Sequence, residues 1–175
     1  HTSCKLSDSI KLNFNHSIKE LIFVIQNNDI SNLGELFNFS GKNIFLPVGT
    51  TEITESLWEQ IPQVHLLENA SLLFNGIEKV AEKDYNFWHL LQNYEHYRNT
   101  LYHNIYMYSF GLDKNSNTGS CNFSNLDNVE LKVNLRKNSN EFIHINGTTL
   151  SVGSGTNPNI KIYARNYNVL VIDSG

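Results

Sequence analysis

Charge is scarce in this chain. Charged residues fill 17% of its 175 positions, Lys and Arg are nowhere clustered, and the net charge is -4. Neutralising duplex phosphates needs grouped cations, so nucleic acid is excluded as a direct partner. Cysteine is scarcer still. Cys4 and Cys121 are the only two, without metal-type spacing and too few for a disulfide framework, so both read as free thiols. No apolar run approaches the roughly 18 residues of a membrane-spanning helix, and the opening HTSCKLSDS lacks the charged and apolar regions of a signal peptide.

Catalytic signatures are missing too. There is no glycine-rich phosphate cradle, and Gly153-Ser154-Gly155 lacks the spacing of a nucleophile elbow. His89, His96 and His103 are spaced by seven but lack the fourth ligand and tight pairing of a structural metal site. Glu52 and Glu55 read as a solvated face. The chain is therefore read as no enzyme, with no metal and no cofactor. Asn-x-Ser/Thr triplets at Asn15, Asn38, Asn69, Asn122 and Asn146 are read as chance in an asparagine-rich chain.

What is present is a core. Hydrophobic residues make up 40% and aromatics 11%, which suits one globular domain over 1–175. Ser9 to Phe14 alternates, as a half-buried strand does. Ile18 to Gln26 is apolar on both faces and reads as a strand covered on both sides. From 27 to 62 the signals turn to Asn, Gly, Ser, Thr and Pro, a long loop insertion with a helical turn or short strands. Val64 to Leu67 and Ser71 to Phe74 read as strand pieces ending in a turn at Asn75-Gly76.

Asp84 is placed to cap a short helix whose Phe87, Leu90, Leu91 and Tyr94 form an i, i+3, i+4, i+7 stripe. Asn104 to Leu112 is strand-like, with Tyr106, Tyr108 and Phe110 on one face. Val129, Leu131, Val133 and Leu135 alternate with polar residues, the clearest one-sided strand of the chain. Phe142 to Val152 is a hairpin about Asn146-Gly147, and Ile160 to Ile172 is a strand interrupted near Arg165-Asn166. Many closely spaced strands with one short helix predict an all-β antiparallel sandwich of jelly-roll topology with long loop insertions. The tyrosines 94, 97, 102, 106 and 108 fit either a contact platform or a core with satisfied hydroxyls.

Several stretches together resemble one family. LNFNHSIKELIFVIQ resembles a strand motif in which an Asn-His-Pro-type step, here Asn15-His16-Ser17, precedes Lys-Glu-Leu and an apolar run. LLFNGIE resembles its Phe-Asn-Gly step (Phe74, Asn75, Gly76). NIYMYSFGLDKNSNTGSCNFSNLDNVEL resembles its Ile-Tyr-x-Tyr-Ser-Phe strand, its polar loop and its Asn-Phe-Ser-Arg-hydrophobic-Asp continuation. The positions concerned are Tyr106, Tyr108, Phe110, Gly119, Asn122, Ser124 and Asp127, with Thr118 and Asn125 departing from the pattern. IKIYARNYNVLVIDSG, with Tyr167 and Asn168, resembles its final strand. These stretches, in this order, are similar to the major capsid proteins of nucleocytoplasmic large DNA viruses, at their second, C-terminal jelly roll.

The resemblance implies a structural protein of the virion capsid, assembled in the host cytoplasm. Its partners would be itself as a homotrimer of pseudo-hexagonal outline, neighbouring capsomers and minor capsid proteins. An internal viral membrane would lie nearby without being entered. The family's first jelly roll would precede His1, which leaves the earliest strand of the second open. The alternative is a carbohydrate-binding jelly roll with Trp58, Trp88 or several tyrosines on an exposed platform.

Overall fold

The computed structural model describes residues 2–3, 6–26, 39, 42–44, 65–99, 103–112, 118–136, 139–145, 148–152 and 158–168, and of 2–3, 42–44, 139–145 and 148–152 the backbone alone. Twelve strands are formed among them. They are β1 (Thr2–Ser3), β2 (Ser7–Lys11), β3 (Ser17–Gln26), β4 (Lys42–Ile44), β5 (Leu67–Phe74), β6 (Ile77–Asp84), β7 (Ile105–Ser109), β8 (Cys121–Asn122), β9 (Val129–Leu135), β10 (Ser139–Ile145), β11 (Thr148–Val152) and β12 (Asn159–Asn166).

The pairing is nested: β1 with β12, β2 with β9, β3 with β7 and β5 with β6, all antiparallel. First joins last and the middle pair is a hairpin, as when one long hairpin is rolled up. Lateral pairing of β12 with β3 and of β9 with β5 then closes two sheets, ordered β1-β12-β3-β7 and β2-β9-β5-β6. This is the jelly roll that the strand spacing predicts. Thr2–Ser3 is the first of the described strands and pairs with β12. Hairpin β10-β11 extends to β4 in a third small sheet, so Lys42–Ile44, inside the expected 27–62 insertion, is paired. Apart from these residues and Phe39, that insertion lies outside the described residues, as do Asn146-Gly147 and residues 169–175.

Alternation places the core between the sheets. In β9, Val129, Leu131, Val133 and Leu135 are buried while Glu130, Lys132 and Asn134 are not. Ile10 and Leu72 flank Leu131 in register across three strands. Opposite them stand Leu21, Phe23 and Ile25 of β3, with Ala164, Ile162 and Ile160 alongside from β12. Each fully buried Leu, Ile, Val or Phe among them contributes about 1.5–3 kcal/mol. The other face of β3 is also covered, since Glu20, Val24 and Gln26 are buried. Glu20 Oε2 accepts from the Tyr97 hydroxyl at 2.7 Å and lies 3.5 Å from Arg165 Nη1. Burial, and then the Glu20 carboxylate, push the Tyr97 hydroxyl up to about 12.

Two sequence expectations are corrected. No strand was expected at β6, where five of eight residues are charged and Val80 alone is buried, so no alternation exists to read. Charge suits it as a sheet edge, where it discourages pairing with other chains. The helix forms, as a π-wound turn Phe87–Leu91 running into α1 (Gln92–Tyr97), and Asp84 Oδ1 accepts from Phe87 N at 3.2 Å. Its buried face, however, is Trp88, His89, Gln92 and Asn93, while Leu90, Leu91 and Tyr94 of the expected stripe are exposed.

The open edge of β7 explains the reversal. Ser109 N donates to Gln92 Oε1 at 3.1 Å, and His89 Nδ1 lies 3.0 Å from Ile105 O. Polar side chains are buried because β7, the last strand of its sheet among the described residues, has backbone groups to satisfy.

Near His89 sits an unexpected cluster. His65 stacks on Tyr85 at 4.3 Å, meets His89 at 4.8 Å and brings Nδ1 to 3.3 Å from the Tyr106 hydroxyl. The Arg136 guanidinium covers the Tyr85 ring at 5.1 Å. Burial foremost, then His89 and Arg136, lower the His65 pKa from 6.5 to about 4. The unfolded chain thus binds a proton that the fold refuses between pH 6.5 and 4, and stability falls as pH drops through that window. The half-exposed ring reduces the effect to about 1–2 kcal/mol. Urea midpoints at pH 7 and pH 4.5 are expected to converge in His65→Gln relative to the unsubstituted chain; an unchanged difference would remove His65 as the cause.

Candidate functional site

Most family-motif positions gather at one end of the sandwich, where β2, β5, β7 and β12 end and β3 and β9 begin. The β5-β6 turn there has Asn75 at φ 49° and Gly76 at φ 81°, both left-handed as a two-residue hairpin requires. Asn75 N donates to Asn128 O at 2.7 Å, and Asn128 N returns a bond to Asn75 Oδ1 at 2.9 Å. One turn is thereby stitched to the segment entering β9.

Beneath that stitch three rings meet. Phe123 presents its edge to Phe74 and Phe110, each at 5.8 Å, while Phe74 and Phe110 stack at 6.2 Å. Phe123 opens the 3-10 turn Phe123–Asn125 and is 3% exposed. The turn is capped by Asn122, whose Oδ1 accepts from Ser124 N at 3.1 Å. A Cβ on Gly119 would stand 2.6 Å from Phe110 O, a backbone atom that cannot step aside, so glycine is required for this approach.

The 3-10 turn in turn holds the start of β3. His16 has φ 71°, uncommon for a side-chain-bearing residue. It is held there by His16 N donating to Ser124 Oγ at 2.9 Å and by Phe123 N donating to His16 O at 3.0 Å. Tyr167 N donates to Ser17 O at 3.0 Å, and the Lys19 ammonium lies 5.9 Å from the Tyr167 ring.

Two open depressions result. One of about 330 Å³ is lined by His16, Ser17, Asn122, Ser124, Tyr167 and Asn168. The other, of about 290 Å³, includes Lys11, Asn13, Asn15, Phe123, Leu126 and Asp127. Among the described residues, the first lining holds His16, Ser17 and Ser124 with no carboxylate, and the second holds Asp127, Ser124 and Lys11 with no histidine. Amides and hydroxyls dominate the first, so its chemistry is hydrogen bonding rather than proton transfer.

Tyr106 and Tyr108 lie apart from these depressions. Tyr106 is 1% exposed and stacks on Phe23 at 5.2 Å, and burial drives its hydroxyl pKa upward. Tyr108 is half-buried and meets Phe110 edge-on at 5.0 Å. The tyrosines thus form no single platform: Tyr97 serves Glu20, Tyr94 is exposed and Tyr102 lies outside the described residues. Sequence reasoning missed Phe123 as an anchor, although it sits inside the quoted Asn-Phe-Ser step, and missed the His65 cluster, for which no local pattern exists.

Comparison with known proteins fits this fold. The chain is 30% identical to the major capsid protein of Paramecium bursaria Chlorella virus 1 over 97% of this chain and 42% of that one. It is 31% identical to the major capsid protein of Chrysochromulina ericina virus over 73% of this chain and 20% of that one. The chain thus spans less than half the length of these relatives. Among solved structures, a quasi-atomic model of the PBCV-1 virus capsid superposes with a TM-score of 0.67 at 22% identity, over 93% of this chain and 42% of that one. Faustovirus major capsid protein superposes with a TM-score of 0.56 at 9% identity, over 91% of this chain and 31% of that one. With residues 2–175 matching the model of the large eukaryotic DNA virus major capsid protein, this chain belongs to that family.

Proposed function

We propose that this chain is the second, C-terminal jelly roll of a double jelly-roll capsid protein, and that the complete protein forms trimeric, pseudo-hexagonal capsomers tiling an icosahedral shell. The observation that carries this is the ratio of lengths: nearly all of this chain matches 42% of the Chlorella virus protein, the share of one sandwich out of two. Three subunits with two sandwiches each give six similar units per ring, and closed rotational symmetry repeats the same contact.

On this reading the motif residues are positioning residues. Asn75, Gly76, Phe110, Gly119, Asn122 and Ser124 lock one end of the sandwich so that loops, the 27–62 segment among them, project from a fixed base. Partners are neighbouring copies, neighbouring capsomers and minor capsid proteins. Nucleic acid is not touched directly, and the internal membrane lies near but is not entered. Assembly takes place in the host cytoplasm, and the family is non-enzymatic. The carbohydrate-binding alternative loses support because Trp88 is 1% exposed, while Trp58 lies outside the described residues.

Electron micrographs of the source particle test the proposal. A lattice of pseudo-hexagonal capsomers with three copies of the full-length product in each is expected. A particle without that lattice, or a full-length product that stays monomeric, would reject it.

A further inference from the structure

Asn-Gly is the dipeptide in which an asparagine most readily loses its side-chain amide. Glycine puts no side chain in the way of its own backbone nitrogen, which attacks the asparagine Cγ. The new N–Cγ bond closes a five-membered succinimide, the Cγ–Nδ2 bond breaks, and Nδ2 departs as ammonia with the proton taken from the attacking nitrogen. Water then opens the ring at either carbonyl, leaving aspartate or isoaspartate. The chain holds two such steps, at Asn75-Gly76 and Asn146-Gly147, and the first is exposed at the β5-β6 turn. Around Gly76 the place where a side chain would stand is open to 4 Å, so no neighbouring group shields the turn on that side.

The turn conformation opposes the reaction. Ring closure needs Asn75 Cβ and Gly76 N on the same side of the Asn75 Cα–C bond. Asn75 is left-handed at φ 49°, a region in which ψ lies at about +30 to +60°, and there Cβ stands nearly trans to the next nitrogen. Two bonds hold it so: Asn75 N donates to Asn128 O, and Asn128 N donates to Asn75 Oδ1, which fixes the amide that would be attacked. We infer that Asn75 is a deamidation site held silent by its folded turn, with the backbone of Asn128 as the catch. Reaction waits on opening of the turn, and it runs one way. Isoaspartate inserts an extra methylene into the main chain of a two-residue turn whose flanking residues, Phe74 and Ile77, are paired in register, and Phe74 carries ring contacts to Phe110 and Phe123. Damage at the tip thus reaches the ring cluster. Asparagine still suits the position, because it tolerates the left-handed region and supplies the accepting Oδ1.

The test follows aspartate and isoaspartate at position 75 by peptide mapping while the 175-residue chain is incubated at mildly alkaline pH, beside the free peptide LLFNGIEK and the chain unfolded in urea. Conversion in the fold slower than in the peptide by about tenfold or more, with the unfolded chain matching the peptide, is the expected result. Asn128→Pro deletes the N–H that reaches Asn75 Oδ1 and should speed conversion about fivefold, the worth of one hydrogen bond. Asn128→Ala keeps both backbone bonds and loses the side-chain bond to Glu130, so its rate should match that of the unsubstituted chain. Equal rates in the fold and the peptide would overturn the inference, as would an equal gain in Asn128→Ala, or an Asn128→Pro chain that folds by circular dichroism and reacts no faster. Should Asn128→Pro not fold, hydrogen exchange decides: the ratio of folded to peptide rates should equal the open fraction reported by the Asn128 amide. Conversion well above that fraction would show that the turn does not gate the reaction.

Discussion

Replacing Trp88 with alanine is expected to destabilise the fold by about 3–5 kcal/mol. The indole is 1% exposed, meets Phe23 and Phe87 edge-on at 5.8 and 5.3 Å, and lies 6.0 Å from Tyr108. Its Nε1 donates to Lys83 O at 3.2 Å. Truncation leaves a cavity and strips a backbone carbonyl of its donor, and both losses act together. For a chain of this size the melting temperature should fall by roughly 6–20 °C.

A second consequence separates this variant from ordinary core damage. Trp88 pins the turn that carries His89 and Gln92 over the β7 edge. With that pin gone, Ile105 O and Ser109 N lose their caps and the edge becomes available to other chains. Trp88→Ala should therefore aggregate at temperatures where a core variant of equal stability, such as Leu131→Ala, stays dispersed. Equal light scattering from the two at matched stability would show that the helix does not guard the edge.

Phe123→Ala is expected to cost a similar amount, about 3–5 kcal/mol, through a different route. The ring joins three distant segments, pairing with Phe74 at the end of β5 and Phe110 just beyond β7. Each edge-to-face pair adds about 0.5–1.5 kcal/mol beyond burial. The 3-10 turn that it opens also holds His16 in its left-handed conformation. Hydrogen exchange should lose protection first at the amides of Phe123 and Leu126, with β5 and β9 protected for longer. A double-mutant cycle with Phe74→Ala should give a coupling of about 0.5–3 kcal/mol. Strict additivity would mean that the three rings do not act as a unit.

Much of the architecture was legible in alternation. The sequence of β9 reads inward and outward residue by residue, and the structure follows it. The continuous apolar run of β3 announced a strand covered on both faces. Asn75-Gly76 marked its turn because those two residues tolerate the left-handed dihedrals it needs. The interruption expected near Arg165-Asn166 is a register shift between those residues where β12 pairs with β3. The strand spacing led to a jelly roll, and the ordered motifs led to the family.

The helix shows where such reading stops. Its 3.6-residue stripe of Phe87, Leu90, Leu91 and Tyr94 is real in the sequence, yet the fold turns most of it outward. Periodicity reports which residues share a face; it cannot report that β7, folded later in the chain, leaves Ile105 O and Ser109 N needing partners. β6 was invisible for a related reason, since an edge strand with one buried side chain carries no period. Gly119 and Phe123 were quoted as parts of a motif, but their work depends on Phe110 and Phe74 arriving from other strands. Local sequence determined which segments extend and which faces they can bury. Only the tertiary structure decided which polar groups had to be buried and which apolar ones were left exposed, because that choice follows from the backbone groups and rings that long-range pairing brings together.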